Sequence, residues 1–175
     1  PHRGPVVSTI SLEEARQLYD ARAVLEGFAG RECARLRDPV IVERIGNALS
    51  RLKTATAEGD FTGTLEAKTE FYAAVIAGCH NAFVERMLKP LHDRITLLRI
   101  TSMSQPKRIG KSMKEVTAIW RAIQSGDPDL AERCCVDHVR AAAEAALAMI
   151  AESQGAADST QATARPRKAA ARRRA

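Results

Sequence analysis

The chain has 175 residues, enough for one well-buried domain, and 45% of them are apolar while only 4% are aromatic. No run approaches the roughly 20 apolar residues of a membrane span, and the start lacks a signal-peptide pattern, so a soluble cytoplasmic protein is expected. The net charge is +6, but residues 154–175 hold six basic residues against one acid, and so carry five of these charges. The rest of the chain is close to neutral.

The spacing of apolar residues predicts helices along almost the whole chain. Ser11 is a candidate N-cap for the first helix, which should stop before Asp38-Pro39. Pro90 lies inside the fourth helical pattern, where it predicts a kink or a break near Lys89. The remaining helices are expected at about 40–57, 61–79, from Asn81 onward, 112–125 and 128–153, with a loop over 104–112.

These elements predict an all-α antiparallel bundle of six or seven helices joined by short loops. The composition divides the chain into three segments. Residues 1–10 are a short segment with Pro and Gly, residues 11–153 are expected to form the helical domain, and residues 154–175 form a basic tail that is expected to be disordered.

The sequence contains no motif of a common catalytic or nucleotide-binding site. GxGxxG, the phosphate-binding P-loop, the nucleophile elbow and HExxH do not occur. The four cysteines show no CxxC spacing and the four histidines are scattered, so spacing defines no metal site. We therefore predict that the protein is not an enzyme.

Several polar residues fall on helix faces that otherwise look buried. Arg22 has a structural explanation, a pair with Glu26 at i,i+4, and Lys68 could extend its ammonium to water. Tyr72 and His138 are each more often core residues with satisfied polar atoms than ligand contacts. If several of these groups share one cavity, they form a site for an anionic ligand. The candidate ligand-binding residues are Arg22, Lys68, Tyr72, Arg99 and His138.

Three segments together resemble the C-terminal effector-binding (FCD) domain of FadR-type regulators in the GntR family. They are SLEEARQLYDARAVLEGFAGRECARL from residue 11, FYAAVIAGCHNAFVERMLKPL from residue 71, and SMKEVTAIWRAIQSGDPDLAERCCVDHV from residue 112. The resemblance implies a helical domain with a central ligand cavity that binds a small metabolite and forms homodimers. It also implies a winged helix-turn-helix domain that reads operator DNA, and residues 1–10 resemble the end of its wing and the linker.

The resemblance also implies a position for a metal ion, because many relatives bind one in this cavity. Their four ligand positions correspond here to Lys68, Tyr72, Val116 and His138. Only the histidine is a metal ligand of the usual kind, and a stable site needs three or four donors. We therefore expect no metal and no other cofactor.

The leading hypothesis is a sensor domain that binds a small organic acid without metal. The Lys68 ammonium would supply positive charge, Tyr72 and His138 would donate hydrogen bonds, and Arg22 would bind the carboxylate through two nitrogens. An acyl-coenzyme A sensor and a ligand-free helical dimerisation module are the alternatives. The basic tail adds a possible nonspecific contact with DNA.

Overall fold

In the computed structural model, residues 10–103 and 106–163 are described, with side chains for 10–96 and 108–154. The described residues form six helices, as the apolar spacing predicted. No helix among them is long and apolar enough to cross a bilayer. The helices are α1 (Leu12–Leu36), α2 (Pro39–Glu58), α3 (Phe61–Ala77), α4 (Ala82–Met103), α5 (Pro106–Ser125) and α6 (Pro128–Thr163).

The start of α1 and both ends of α2 follow from local capping chemistry. The Ser11 side chain accepts the backbone N–H of Glu14 and so caps α1. Asp38 caps α2 in the same way, and Pro39 at its first position needs no hydrogen bond there. Gly59 ends α2 in the left-handed region, at φ 72°, where a side chain would be strained.

Later boundaries use the same devices. The Asn81 side chain accepts the N–H groups of Phe83 and Val84 and starts α4. Gly126, at φ 70°, ends α5, and the Asp127 carboxylate accepts the N–H of Leu130 at the start of α6. The turn between α5 and α6 is therefore short, which places these helices side by side.

Two boundaries differ from the sequence prediction. The expected loop over 104–112 is wrong for most of its length, because α5 already begins at Pro106, a residue well suited to the first helical turn. The helix α6 extends to Thr163, ten residues past the expected end. At Pro90, where a kink or a break was expected, α4 continues without a break. Residues 164–175 of the basic tail lie outside the described residues.

Close packing of α1 against α6 organises the bundle. A Cβ added to Gly30 would lie 2.5 Å from Sγ of Cys135, and one added to Gly27 would lie 2.8 Å from Cγ2 of Val136. Glycine at these positions therefore lets the two backbones approach closely. The main apolar core draws on α1, α2, α3, α4, α5 and α6, and a smaller cluster lies between α1, α4 and α6.

Candidate functional site

A buried ion pair lies on α1 between the two apolar clusters. Nε of Arg22 donates to Oε1 of Glu26 over 2.6 Å, and Nε2 of His92, on α4, contacts the same oxygen at 2.8 Å. The Arg22 guanidinium also lies 5.3 Å from the ring centre of Tyr19. Burial disfavours the charge on Glu26, but the Arg22 charge and the His92 hydrogen bond outweigh burial and hold its pKa well below the ordinary value.

A second chain of hydrogen bonds crosses the domain from α3 to α5. The hydroxyl of Tyr72 lies 2.5 Å from Nε2 of His138, and Nδ1 of His138 lies 2.6 Å from Oε2 of Glu115. Two nitrogens of Arg108 donate to the Glu115 carboxylate at 2.8 to 3.0 Å. The Tyr72 ring meets the His92 ring edge-on, with ring centres 5.7 Å apart, and so brings the two chains into contact.

The protonation states in this second chain follow from the partners. Burial lowers the pKa of His138 to about 4, although the hydrogen bond to Glu115 opposes the change, so the imidazole is neutral at pH 7. Burial also opposes the charge on Glu115, but hydrogen bonds from His138 and Arg108 lower its pKa to about 2. An ionised carboxylate only accepts, so Nδ1 of His138 carries the proton and Nε2 accepts from Tyr72.

Lys68 lies one helical turn before Tyr72 on α3 and is 6% exposed. Its ammonium donates to Oγ of Ser112, on α5, over 2.6 Å. The same ammonium charge contributes to the low pKa of His138, which places Lys68 near that ring. The side chain is therefore held in the interior by the protein, and does not extend to water.

The spaces beside these residues are small. One cavity, lined by Glu26, Tyr72 and mostly apolar side chains, has about 10 Å³, and so does another lined by Lys68, Ser112 and Thr64. This is room for about one water molecule, whereas ligand pockets usually measure about 300–1,000 Å³. A metabolite can therefore bind here only if side chains or helices move apart.

The structure brings together four of the five residues that the sequence singled out. The side chain of the fifth, Arg99, lies outside the described part of the chain. Arg22 makes the pair with Glu26 that i,i+4 spacing offered as its structural explanation. Both ring nitrogens of His138 are already bonded, so a ligand must displace Glu115 or Tyr72 to reach it. The four are Arg22, Lys68, Tyr72 and His138.

Sequence reasoning missed four polar members of the site, namely His92, Arg108, Ser112 and Glu115. Arg108 and Glu115 are seven residues apart, two turns of one helix, but Arg108 fell in the segment that was predicted as a loop. Pro106, as a possible first helical residue, was the signal that could have corrected this. His92 contacts Glu26 across 66 positions of sequence, and no local pattern indicates such a pair.

The residues at the expected metal position do not fit a metal ion. Lys68, Tyr72 and His138 are buried in the interior, and so is Val116. An ammonium, a phenol, an isopropyl group and an imidazole with both nitrogens bonded lack the three or four donors that a site needs. Among the described residues, no group of three or more His, Cys, Asp or Glu is placed to hold a metal. The expectation of no metal stays a prediction.

Comparison with known families covers most of the helical domain. Residues 17–141 match the model of the FCD domain. The chain belongs to the FCD domain family. This agrees with the resemblance drawn from the three sequence segments.

Two known proteins resemble this chain, one in sequence and one in fold. It is similar to a probable D-xylose utilization operon transcriptional repressor of Paenarthrobacter nicotinovorans, at 27% identity over 141 residues, or 80% of this chain. The chain spans about three fifths, 61%, of that repressor. It also shares its fold with E. coli McbR/YncC, with a TM-score of 0.69 and 14% identity, over 75% of this chain and 67% of that one.

Proposed function

We propose that this FCD domain is the effector-sensing part of a bacterial transcriptional regulator and binds a small organic acid without a metal. The observation that supports the proposal is the set of buried, hydrogen-bonded polar side chains on five helices. Its cations and hydrogen-bond donors are of the kinds that bind carboxylates. Such groups cost stability when they are buried, so their concentration in one place indicates a binding role.

Each of the candidate residues has a defined part in the proposal. Lys68 supplies the positive charge that a metal supplies in other family members, and Ser112 holds its ammonium in place. Tyr72 and His138 contact the acid once it has displaced their present partners. Arg22, paired with Glu26, forms one wall of the site. Arg99, a candidate from the sequence prediction, would be a further cation. No group in the proposal carries out a reaction, so it does not involve an enzyme.

The regulatory step in the proposal is allosteric. The cavities are too small for a metabolite, so binding has to separate helices that the polar chain holds together. In a homodimer with winged-helix domains before residue 11, that change would alter the placement of the two DNA-reading domains and hence operator affinity. The protein would act in the cytoplasm, and its basic C-terminal segment would add a nonspecific, salt-sensitive contact with DNA.

A ligand-free dimerisation module is the second candidate. It is favoured by the small cavities and by the pairing of Arg22 with Glu26 inside the protein. An acyl-coenzyme A sensor is less well supported, since an acyl chain needs a long apolar tunnel and the cavity beside Tyr72 holds about 10 Å³.

Calorimetric titration of a panel of small organic acids separates these candidates. The sensor proposal expects at least one acid to bind the wild type, and Lys68→Ala to weaken that acid by about 1.5–3 kcal/mol, the usual contribution of a hydrogen bond to a charged group. Lys111→Ala is the matched control, because Lys111 lies on the exposed side of α5. Equal affinity in wild type and Lys68→Ala for every acid bound would exclude the role of Lys68, and no binding at all would favour the dimerisation module.

A further inference from the structure

The Glu115 carboxylate is bound in the way that a carboxylate from outside the protein would be bound. It accepts from two guanidinium nitrogens of Arg108, at 2.8, 2.9 and 3.0 Å, and from Nδ1 of His138 at 2.6 Å. Two-nitrogen contact with a guanidinium matches the planar shape of a carboxylate and fixes its orientation. Arg108 and His138 together therefore have the geometry of a carboxylate site.

Burial differs between the donors and the acceptor. Arg108 is 8% exposed and His138 1%, whereas the Glu115 side chain is 23% exposed. Glu115 is thus the member whose side chain can turn toward water. The buried donors cannot follow it, and each would then need another acceptor, because an unsatisfied buried donor costs about 1–3 kcal/mol.

We propose that Arg108 and His138 form a carboxylate subsite of the effector site, and that Glu115 is an internal occupant which the effector carboxylate displaces. This rests on the proposed function and deepens it, since it names where the acid group of the effector binds. It also assigns roles to Arg108 and Glu115 that the sequence did not indicate.

Displacement of Glu115 has two consequences. The effector must compete with a tethered carboxylate, so the apparent affinity is lower than the intrinsic affinity by the fraction of time that the subsite is open. The exchange also occurs on His138, whose other nitrogen accepts from Tyr72. The His138 imidazole thereby links the displacement of Glu115 on α5 to Tyr72 on α3.

Chemical rescue tests the subsite directly, with sodium acetate as the probe. In Glu115→Ala the subsite is empty, and acetate at about five times its dissociation constant should raise the midpoint of thermal unfolding by about 3 °C above sodium chloride at equal ionic strength. The double variant Arg108→Ala with Glu115→Ala should show no acetate-specific rise. A rise of the same size in the double variant, or none in Glu115→Ala, would overturn the proposal.

A second variant keeps the test informative if Glu115→Ala does not fold. Glu115→Gln retains the size of the side chain but loses its charge, so acetate should bind it about tenfold more tightly than it binds wild type. Glu144→Gln, an exposed change on α6, is the control and should behave like wild type. Equal acetate affinity in Glu115→Gln and wild type contradicts the subsite.

The two proposals fail in different ways. If the wild type binds an acid through Lys68 but acetate rescues nothing, the subsite is wrong and the sensor function stands. If acetate rescues Glu115→Ala but wild type binds no acid of the panel, the subsite stands and the proposed function loses its support.

Discussion

At the residue scale, the interior of this FCD domain contains polar side chains that form hydrogen bonds with one another. The i,i+4 pair of Arg22 and Glu26 could be read from the sequence, since such spacing brings side chains together on a helix. The pairing of Tyr72 with His138 could only be suspected, because it joins two helices 66 positions apart. The contact of Arg108 with Glu115 was hidden by the error at the start of α5.

Buried, neutral His138 predicts a specific loss of stability in mild acid. Its pKa is about 4 in the folded protein against 6.5 ordinarily, so between these values the unfolded chain binds a proton that the folded protein does not. Stability should therefore fall as pH drops from 6.5, by about 2.5 kcal/mol at pH 4.5. Glu115, with its pKa of about 2, contributes only below pH 4.5. Urea unfolding across pH 7.5 to 4.5 measures the effect.

The variant His138→Gln should be less stable than wild type at pH 7 but should lose the slope between pH 6.5 and 4.5. His80→Asn is the control, since the His80 side chain is 55% exposed and Asn tolerates its φ of 49°. If the fall of stability with pH survives in His138→Gln and disappears in His80→Asn, its assignment to His138 is contradicted.

The metal prediction can be tested by placing metal ligands at the positions that correspond to them in relatives. The triple variant Lys68→Asp, Tyr72→His and Val116→His, with the native His138, supplies four donors at those positions. It should bind zinc or nickel at one ion per chain, and the wild type should bind neither, as measured by elemental analysis after gel filtration. Stoichiometric metal in the wild type would overturn the prediction of a metal-free site.

At the element scale, helix-capping residues were the most reliable guide to where helices begin and end. Ser11, Asp38, Gly59 and the Gly126-Asp127-Pro128 turn set helix ends where the structure has them. The failure occurred at Pro106, which was assigned to a loop but starts a helix. At Pro90 only the alternative of a break is wrong, because surrounding apolar residues such as Leu88 pack into the core and hold the helix together.

The close approach of α1 and α6 predicts opposite effects for two Gly→Ala changes. In Gly30→Ala the new methyl group would lie 2.5 Å from Sγ of Cys135, so the variant should lose about 1–3 kcal/mol of unfolding free energy through overpacking. In Gly110→Ala no atom lies within 4 Å, and α5 should gain about 0.5–1 kcal/mol because alanine favours helix. Chemical denaturation compares the two. Equal effects of the same sign would contradict the packing described for α1 and α6.

At the scale of the whole molecule, the distribution of exposed apolar residues supports the expectation of a homodimer. Val24 and Phe28 lie one turn apart on α1, with 72% and 39% exposed, and Phe83 and Met87 lie one turn apart on α4, with 72% and 50% exposed. Apolar groups repeated at one face of a helix are typical of a surface that another chain covers. The sequence predicted a dimer from family resemblance alone, since exposure cannot be read from residue type.

Introducing a charge on the exposed apolar face of α4 gives the corresponding test. Phe83→Glu should weaken the dimer by at least tenfold in sedimentation equilibrium, because it places a carboxylate in an apolar contact. Val40→Glu is a matched control, being equally exposed at 72% but on α2. A monomeric wild type, or equal weakening by both changes, would contradict the assignment of this surface.

We propose that the domain senses an organic acid through its carboxylate and without metal. The most direct measurement is calorimetric titration of chelator-treated protein with an acid that it binds, and with the amide of the same acid. The amide lacks the charge that Lys68 and the Arg108 subsite recognise, so its affinity should be lower by about 1.5–3 kcal/mol, or roughly 10- to 150-fold. Equal affinity for acid and amide, or acid binding that appears only after a divalent metal is added, would contradict the claim.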